Sequence, residues 1–299
     1  MGESRRFIIP VMGMTKAGKS SFINTVASLP KDGQPKLEVG TAMVSCTKKL
    51  QIAEAEGLFS KYPSLEKHRL QFVDTPGFDD TDLPDYEILQ LIADHLKASC
   101  RKGDILGGVL YLHDLSRDGF TGTAKKNLKL FDNLCGENSM FKVIFVTTKW
   151  ERRSVKENYE AREKELKDVH WESMINLGAA TMRLEKEDHA SAIEIVDEVL
   201  RRYVNPKNRE KKLLDQVLQI QRELVAEKKY LPQTEAAKSL LGELEAHAKI
   251  LKAGSQGGTF EDMKEHDEKL GKLERQIAEV KLNISQRAGS FLKRWFRSL

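Results

Sequence analysis

Residues 13–20 have the composition and spacing of a phosphate-binding loop. They read Gly-Met-Thr-Lys-Ala-Gly-Lys-Ser, with an apolar run before them and a helical pattern after them. The glycines permit tight turns and close approach to a ligand, while loop N–H groups and the helix N-terminus favour an anion. We therefore predict phosphate contacts from nine consecutive residues: Gly13, Met14, Thr15, Lys16, Ala17, Gly18, Lys19, Ser20 and Ser21.

Two side chains of this P-loop suit a nucleoside triphosphate. We expect Lys19 to reach the β- and γ-phosphates and to act in catalysis, and the Ser20 hydroxyl to take one Mg²⁺ position. The apolar run at residues 8–12 supplies the preceding strand and residues 21–24 begin the helix, which is the context that this motif requires.

A second element, residues 72–77, reads Phe-Val-Asp-Thr-Pro-Gly. An acid at the carboxyl end of a strand beside the P-loop can hold Mg²⁺ through water, and a glycine three places on can offer its N–H to the γ-phosphate. We assign these roles to Asp74 and Gly77. Between the two elements, Thr47 is expected to complete the Mg²⁺ shell and to act in catalysis, with Thr41 as the competitor. The predicted metal set is Ser20, Thr47 and Asp74.

The third element, residues 146–151, reads Val-Thr-Thr-Lys-Trp-Glu after a buried run. It resembles the base-binding motif of G domains, in which Asn or Thr is followed by Lys, any residue and Asp. Thr148 and Lys149 match, and Glu151 replaces the aspartate. A carboxylate here accepts from guanine, and discrimination arises because the wrong base leaves it unpaired. The sequence therefore predicts guanine binding through Thr148, Lys149 and Glu151.

The elements that must position these residues alternate between strand and helix, which is typical of a largely parallel sheet. We predict strands at residues 7–12, 50–53, 69–73, 108–112 and 142–147, with 50–53 and 69–73 as an antiparallel pair, and helices at 20–29 and 124–134. The fold class is therefore α/β, a P-loop three-layer sandwich like that of small GTPases. Residues 1–204 form the G domain and residues 205–299 an all-α extension, because strand signals nearly vanish after residue 207.

Apolar residues in the tail recur at helical spacing, interrupted by Pro232 and by the glycine-rich residues 254–258. Two interpretations stay open: helices folded on themselves or on the G domain, and an intermolecular coiled coil that would bind a helical partner. The repeating positions are Leu213, Val217, Ile220, Leu224 and Leu231, then Ala237, Leu241, Leu244, Ala248 and Leu251, then Leu270, Leu273, Ile277, Val280 and Ile284.

Composition limits the expected binding partners and cellular location. A net charge of +4 over 299 residues gives no reason to expect nucleic acid. Three widely spaced cysteines, Cys46, Cys100 and Cys135, fit neither a disulfide framework nor a paired zinc motif, which favours a reducing, cytoplasmic location. Residues 291–299 are basic and aromatic, so they would either pack on the tail or make peripheral membrane contact; we expect packing.

Taken together, residues 12–23, 45–48, 74–81 and 146–151 resemble the septin-like branch of P-loop GTPases. Within it the chain looks most like the immunity-associated GTPases, the plastid import-receptor GTPases and, above all, uncharacterised fungal G-domain proteins. The resemblance covers about residues 5–203. It implies GTP, GDP and Mg²⁺ binding, slow hydrolysis and often a homodimer through the nucleotide face. By position it also implies base contacts from residues 178–180.

Two departures bear on catalysis. Phe78 stands where Ras-like enzymes carry the glutamine that orients water, so hydrolysis should be slow. By resemblance, Arg117 is a candidate arginine finger acting across a dimer, with a solvated surface arginine as the alternative, whereas His113 is expected to be a packed histidine. Lys16 replaces the usual glycine and is expected to face solvent rather than serve as a cation over the phosphates.

The sequence thus predicts a GTP-binding, Mg²⁺-dependent switch that hydrolyses GTP slowly. Phe78 and Glu151 favour a first alternative, a nucleotide-binding scaffold with negligible turnover. An ATPase is a second alternative, and it requires residues 149–151 to be irrelevant to base choice.

Overall fold

The computed structural model describes residues 4–27, 50–79, 84–117, 119–153, 158–209, 216–253, 266–278 and 280–281, and the account below concerns these residues. The predictions for Thr41, Thr47, Leu213 and Ile284, and those for residues 254–258 and 291–299, lie outside them. Within them, no helix combines the length and apolarity needed to cross a bilayer.

A sheet of seven strands forms the centre of the described structure, and all its pairings are parallel except that of β2 with β3. Its order is β2-β3-β1-β5-β6-β7, and the short β4 pairs with the start of β1. The strands are β1 (Arg6–Gly13), β2 (Gln51–Ala55), β3 (Arg69–Asp74), β4 (Ile105–Leu106), β5 (Val109–Asp114), β6 (Val143–Thr148) and β7 (Ala180–Arg183). The predicted strands and the antiparallel pair are confirmed.

Helices cover both faces of the sheet, as the α/β prediction required. They are α1 (Lys19–Val26), α2 (Asp85–Arg101), α3 (Gly122–Cys135), α4 (Tyr159–Glu165, continued by a π turn at Leu166–His170), α5 (Glu172–Asn176), α6 (His189–Val204), α7 (Pro206–Arg209), α8 (Gln219–Gln221, continued by a π turn at Arg222–Ala226) and α9 (Glu235–Ala253). Short 3-10 turns lie at Glu137–Lys142, Trp150–Arg152 and Leu231–Gln233, and residues 266–278 are helical.

Each face of the sheet has its own apolar core. The core beneath α1 and α6 includes Phe22, Ile23 and Ile195. The core beneath α2 and α3 includes Ile92 and Phe131. Parallel strands buried on both sides read as continuous apolar runs, which explains why their positions were predictable from the sequence.

The helical extension packs on the G domain. Ile220, Leu224, Leu240 and Leu244 are buried in the same cluster as α2 and α3, and the buried Gln221 side chain donates to the Leu96 carbonyl oxygen at 3.0 Å. Two ion pairs of 2.7 Å each, Lys252–Glu274 and Lys281–Glu245, join α9 to residues 266–278 and 280–281. The prediction of helices folded on the G domain is therefore confirmed for the described part of the tail.

The first predicted repeat of the tail is not one helix. The helical turn that begins at Gln219 ends near Glu227, because Lys228 adopts a left-handed backbone with φ 54°. Leu231 then lies in a separate 3-10 turn with Pro232, whose ring cannot continue a preceding helix. The spacing from Leu224 to Leu231 consequently reflects two short segments that bury the same kind of residue.

Replacing Leu244 with alanine should lower the free energy of unfolding by about 2–5 kcal/mol, because it opens a cavity in the core that α9 shares with α3. Urea denaturation followed by circular dichroism measures the change. Ile250→Ala on the same helix is the matched control, since Ile250 is 69% exposed and should change stability by less than about 0.5 kcal/mol. Equal effects of the two changes would contradict the shared core.

Candidate nucleotide-binding site

The P-loop links β1 to α1 at the carboxyl edge of the sheet. Gly13 has φ 134°, and a Cβ on it would lie 2.2 Å from the Leu112 carbonyl oxygen, so glycine is required here. Gly18 precedes α1 with φ 92°, and neither a side-chain cap nor an acid in the first turn opposes an anion. The first N–H groups of α1 are therefore suited to phosphate.

Lys19 is buried against the loop that it follows. Its Nζ donates to the carbonyl oxygens of Gly13, at 3.1 Å, and Met14, at 2.8 Å, and its residue is only 7% exposed. Backbone oxygens thus hold the ammonium inside the P-loop. Its charge lies near any phosphate that binds to the loop.

Ser20 and Asp74 meet as the sequence predicted for a Mg²⁺ site. The Ser20 hydroxyl donates to Asp74 Oδ2 at 2.5 Å, and Asp74 Oδ1 is buried with no hydrogen-bond partner among the described residues. Burial raises the pKa of Asp74, while Lys19 and the Ser20 hydrogen bond favour its charged form. A hydroxyl beside a carboxylate with an unused oxygen fits Mg²⁺, which prefers oxygen ligands and keeps several waters.

The segment that follows Asp74 lies directly against the P-loop. A Cβ on Gly77 would lie 2.3 Å from the Thr15 backbone nitrogen and 2.6 Å from Thr15 Oγ1. Only glycine permits this approach. Thr15 Oγ1 is itself buried without a hydrogen-bond partner in the described part of the chain, so a second unsatisfied oxygen points to a polar ligand at this junction.

Phe78 points away from the P-loop and into the protein. It is 8% exposed and belongs to the apolar cluster beneath α2, α3 and α9. Its side chain also borders a cavity with Leu130 of α3 and Leu240 of α9. A side chain in this position does not orient water at a phosphate, which agrees with the expectation of slow hydrolysis.

Arg117 reaches the P-loop of its own chain. Its guanidinium donates to the Thr15 carbonyl oxygen and lies 3.4 Å from Asp79 Oδ2. Sequence reasoning placed this arginine across a dimer and gave no role to Asp79, although the Gly-Phe-Asp-Asp phrase at residues 77–80 was part of the resemblance. A local sequence pattern cannot predict a contact between residues as far apart in the chain as Thr15 and Arg117.

His113 is packed between aromatic rings, as expected. Its ring centroid lies 5.8 Å from those of Phe120 and Trp171. Burial lowers the pKa of His113 to about 4, against the opposing effect of Asp114. The imidazole is therefore neutral at physiological pH.

The predicted base-binding residues follow β6 beside the P-loop. Thr148 is buried, and its hydroxyl donates to the Ala17 carbonyl oxygen at 2.9 Å. Lys149 is 6% exposed, adopts φ 68°, and places its Nζ and Cε 3.6–3.7 Å from the position of a Cβ on Gly18. The Thr148 hydrogen bond thus links β6 to the P-loop, and the end of the Lys149 side chain lies over Gly18 of that loop.

Glu187 is a further member of this side of the site. Lys149 Nζ pairs with Glu187 Oε1 at 2.6 Å, and the Glu187 backbone N–H donates to Glu151 Oε2 at 3.0 Å. A pocket opens here among Gly18, Thr148, Leu184 and Glu187. Because Glu187 follows a short, half-buried strand, its approach was not evident from the sequence.

The prediction that residues 178–180 contact the base is wrong. Ala180 begins β7 and pairs with Ile144 near the start of β6, so residues 178–180 lie at the amino edge of the parallel sheet. There the Gly178 carbonyl oxygen accepts a hydrogen bond from Arg202. The loop at the carboxyl end of β7, residues 184–188, reaches the pocket instead.

The other residues predicted to contact phosphate lie in the P-loop or, for Ser21, in the first turn of α1. Met14 and Ala17 are buried, Thr15 and Ser21 are partly buried, and Lys16 is exposed. Lys16 has φ 67°, in the left-handed region that glycine adopts at little cost. This backbone conformation explains why glycine is usual there.

The parallel sheet, the P-loop at its carboxyl edge, the Ser20–Asp74 pair and the Thr148–Lys149 segment define a P-loop nucleotide-binding G domain. Residues 8–170 match the model of the family described as 50S ribosome-binding GTPase. Because the match spans more than half of the 299 residues, the chain belongs to this GTPase family, and its G domain binds GTP. The septin-like and fungal features of the resemblance are not shown by this match.

Solved structures support the fold. The chain is similar to Toc33 from Arabidopsis thaliana in complex with GDP and Mg²⁺, at 13% identity and TM-score 0.50, and with Mg²⁺ and GMPPNP, at 15% and 0.50; both comparisons cover 68% of this chain and 86% of Toc33. The chain is also similar to a structure described under the heading that dimerization is important for the GTPase activity of the chloroplast translocon components atToc33 and psToc159. The identity is 15% and the TM-score 0.51, and the comparison covers 68% of this chain and 84% of the other. Among curated proteins, no sequence matches significantly.

Replacing Thr148 with valine should lower the free energy of unfolding by about 1–3 kcal/mol, because the Ala17 carbonyl oxygen loses its buried donor. Urea denaturation at neutral pH measures the loss. Thr123→Val, at an exposed position of α3, is the control and should have little effect. A Thr148→Val protein as stable as the wild type would show that this hydrogen bond does not hold the P-loop.

Proposed function

We propose that this protein is a Mg²⁺-dependent GTP switch that hydrolyses GTP slowly. The observation that carries the proposal is the Ser20–Asp74 pair, in which Asp74 Oδ1 stays unsatisfied beside the P-loop. Ser20 would ligate Mg²⁺ directly and Asp74 through water, with Thr47 as the further predicted ligand. When bound, Mg²⁺ would supply positive charge that stabilises the negative charge of the phosphate groups.

The chain's own residues would bind and orient the nucleotide. Lys19 and the first N–H groups of α1 hold phosphate oxygens, and the Gly77 backbone N–H faces the γ-phosphate. Lys149 and Glu151 select guanine, and membership of the GTPase family argues against the ATPase alternative.

The switch output would pass through Phe78. This residue follows Gly77 directly, and it is buried in the cluster that includes Leu240 and Leu244 of α9. A γ-phosphate that moves the Gly77 backbone would therefore disturb the packing of the helical extension. Packed cores respond to such shifts by repacking between discrete arrangements.

A homodimer through the nucleotide face is part of this proposal. Its support is that dimerization is described as important for the GTPase activity of atToc33 and psToc159, in work whose structure shares the fold. Single-turnover hydrolysis at increasing protein concentration tests it, since a rate that rises with concentration indicates assembly.

The second candidate function is a nucleotide-binding scaffold, which the burial of Phe78 favours. The same single-turnover measurement separates the two candidates. If no GTP were hydrolysed at any protein concentration, the hydrolysing switch would be excluded and the nucleotide-binding scaffold would remain.

Ser20→Ala should weaken GTP binding at least tenfold in the presence of Mg²⁺ and change it little in EDTA, because the variant lacks the predicted metal ligand. Titration calorimetry with and without EDTA measures both affinities. Ser173→Ala, at an exposed position of α5, should retain the Mg²⁺ dependence of the wild type. If Mg²⁺ strengthened GTP binding equally in Ser20→Ala, the metal assignment would fail.

Glu151→Ala should reduce the preference for GTP over ATP at least tenfold, because it removes the acceptor for guanine while leaving the P-loop intact. Competition of GTP and ATP against a fluorescent GDP analogue measures the preference. Glu172→Ala, an exposed acid on α5, is the charge-matched control. An unchanged preference in Glu151→Ala would assign base selection to another group.

A further inference from the structure

A carboxylate from the segment after Gly77 is bonded to the P-loop. Asp79 Oδ1 accepts a hydrogen bond from the Thr15 backbone N–H at 2.5 Å, and the Asp79 side chain is only 14% exposed. The same oxygen lies 2.9 Å from the place that a Cβ on Gly77 would occupy. Asp79 therefore lies between Thr15 of the P-loop and Gly77, whose backbone N–H the proposed function assigns to the γ-phosphate.

Arg117 holds the other side of the same P-loop residue. Its Nη2 donates to the Thr15 carbonyl oxygen, and its Nη1 lies 3.4 Å from Asp79 Oδ2. Asp114 Oδ2 lies 4.0 Å from Arg117 Nε. Thr15 is thus bound at its N–H by a carboxylate and at its C=O by a guanidinium; we name Asp79 and Arg117 the Thr15 clamp.

The charge of Asp79 gives the clamp a preference between nucleotides. A γ-phosphate brings further negative charge to the P-loop and Gly77, where the partly buried carboxylate already lies, and like charges repel strongly in so confined a place. GDP has no group at this position. Asp79 consequently opposes GTP more than GDP for as long as it stays on Thr15.

We propose that Asp79 discriminates GTP from GDP by occupying the Thr15 N–H next to the γ-phosphate position. In the GDP state Asp79 stays on Thr15 and pairs with Arg117. In the GTP state the γ-phosphate displaces the carboxylate, and the Arg117 guanidinium exchanges Asp79 for the phosphates while Asp114 stays near its Nε. Asp79 is a specificity-determining residue in this scheme, and the inference rests on the GTP binding proposed above.

Asp79→Asn tests the proposal, because the amide keeps the size of the side chain and an acceptor oxygen for the Thr15 N–H but loses the charge. We expect the dissociation constant of the GMPPNP complex, measured by calorimetry with Mg²⁺, to fall about tenfold. That of GDP should change less than twofold. Asp94→Asn, the same change at an exposed position of α2, should leave both constants unaltered.

The alternative outcomes are distinct. Equal effects of Asp79→Asn on both nucleotides, or none on either, would overturn the inference. If the wild type bound neither GMPPNP nor GDP, the proposed function itself would fail. Asp79→Ala, which removes the carboxylate without adding an amide donor, gives the same test should Asp79→Asn not fold, and an unchanged GMPPNP to GDP ratio in it would likewise overturn the inference.

Discussion

The parallel pairing of β1 with β3 and β5 is the constraint on which the site depends. Its register pairs Val11 with Asp74 and Gly13 with Leu112, so the P-loop and Asp74, the acid predicted to bind Mg²⁺, leave the sheet at one edge and within reach of each other. A slip of one residue would turn every side chain of a strand to the opposite face. The two apolar cores that hold the sheet on both sides thereby also hold the Ser20–Asp74 geometry.

The helical extension is part of the same physical unit as one of these cores. Its apolar positions share a buried cluster with Phe78 and with residues of α2 and α3, and Gln221 adds a buried hydrogen bond to α2. Parts of a chain that share a core tend to open together rather than independently. A change of packing near Phe78 therefore affects α9 directly, whereas α1 and α6 belong to the core on the other face of the sheet.

Sequence reasoning located those parts of the site whose signals are local. The P-loop and the Thr148–Lys149 segment each follow a continuous apolar run, and Asp74 follows a mostly apolar one that contains Gln71. Runs of this kind mark buried parallel strands. It failed at residues 178–180, because β7 has only four residues, none fully buried, and so produced no signal that would show which of its ends faces the nucleotide.

Contacts between distant parts of the chain were the other limit. Asp79 is one of two adjacent aspartates, and its bond to Thr15 depends on how closely Gly77 approaches the P-loop. In the same way, helical spacing placed Ala237 and Leu244 on one apolar face of a helix, and both are buried, but it did not reveal their partners. Those partners are set by which helix faces the sheet leaves uncovered.

The left-handed backbone at Lys16 has a thermodynamic consequence for ligand binding. A residue with a Cβ is strained in this conformation by about 1–2 kcal/mol, a cost that the folded protein carries before any ligand arrives. A glycine would relieve that strain, but it would also widen the range of conformations open to the loop. With lysine, the loop has less backbone entropy to lose when phosphate binds. Lysine at position 16 therefore lowers the stability of the folded protein but preorganises the loop for phosphate.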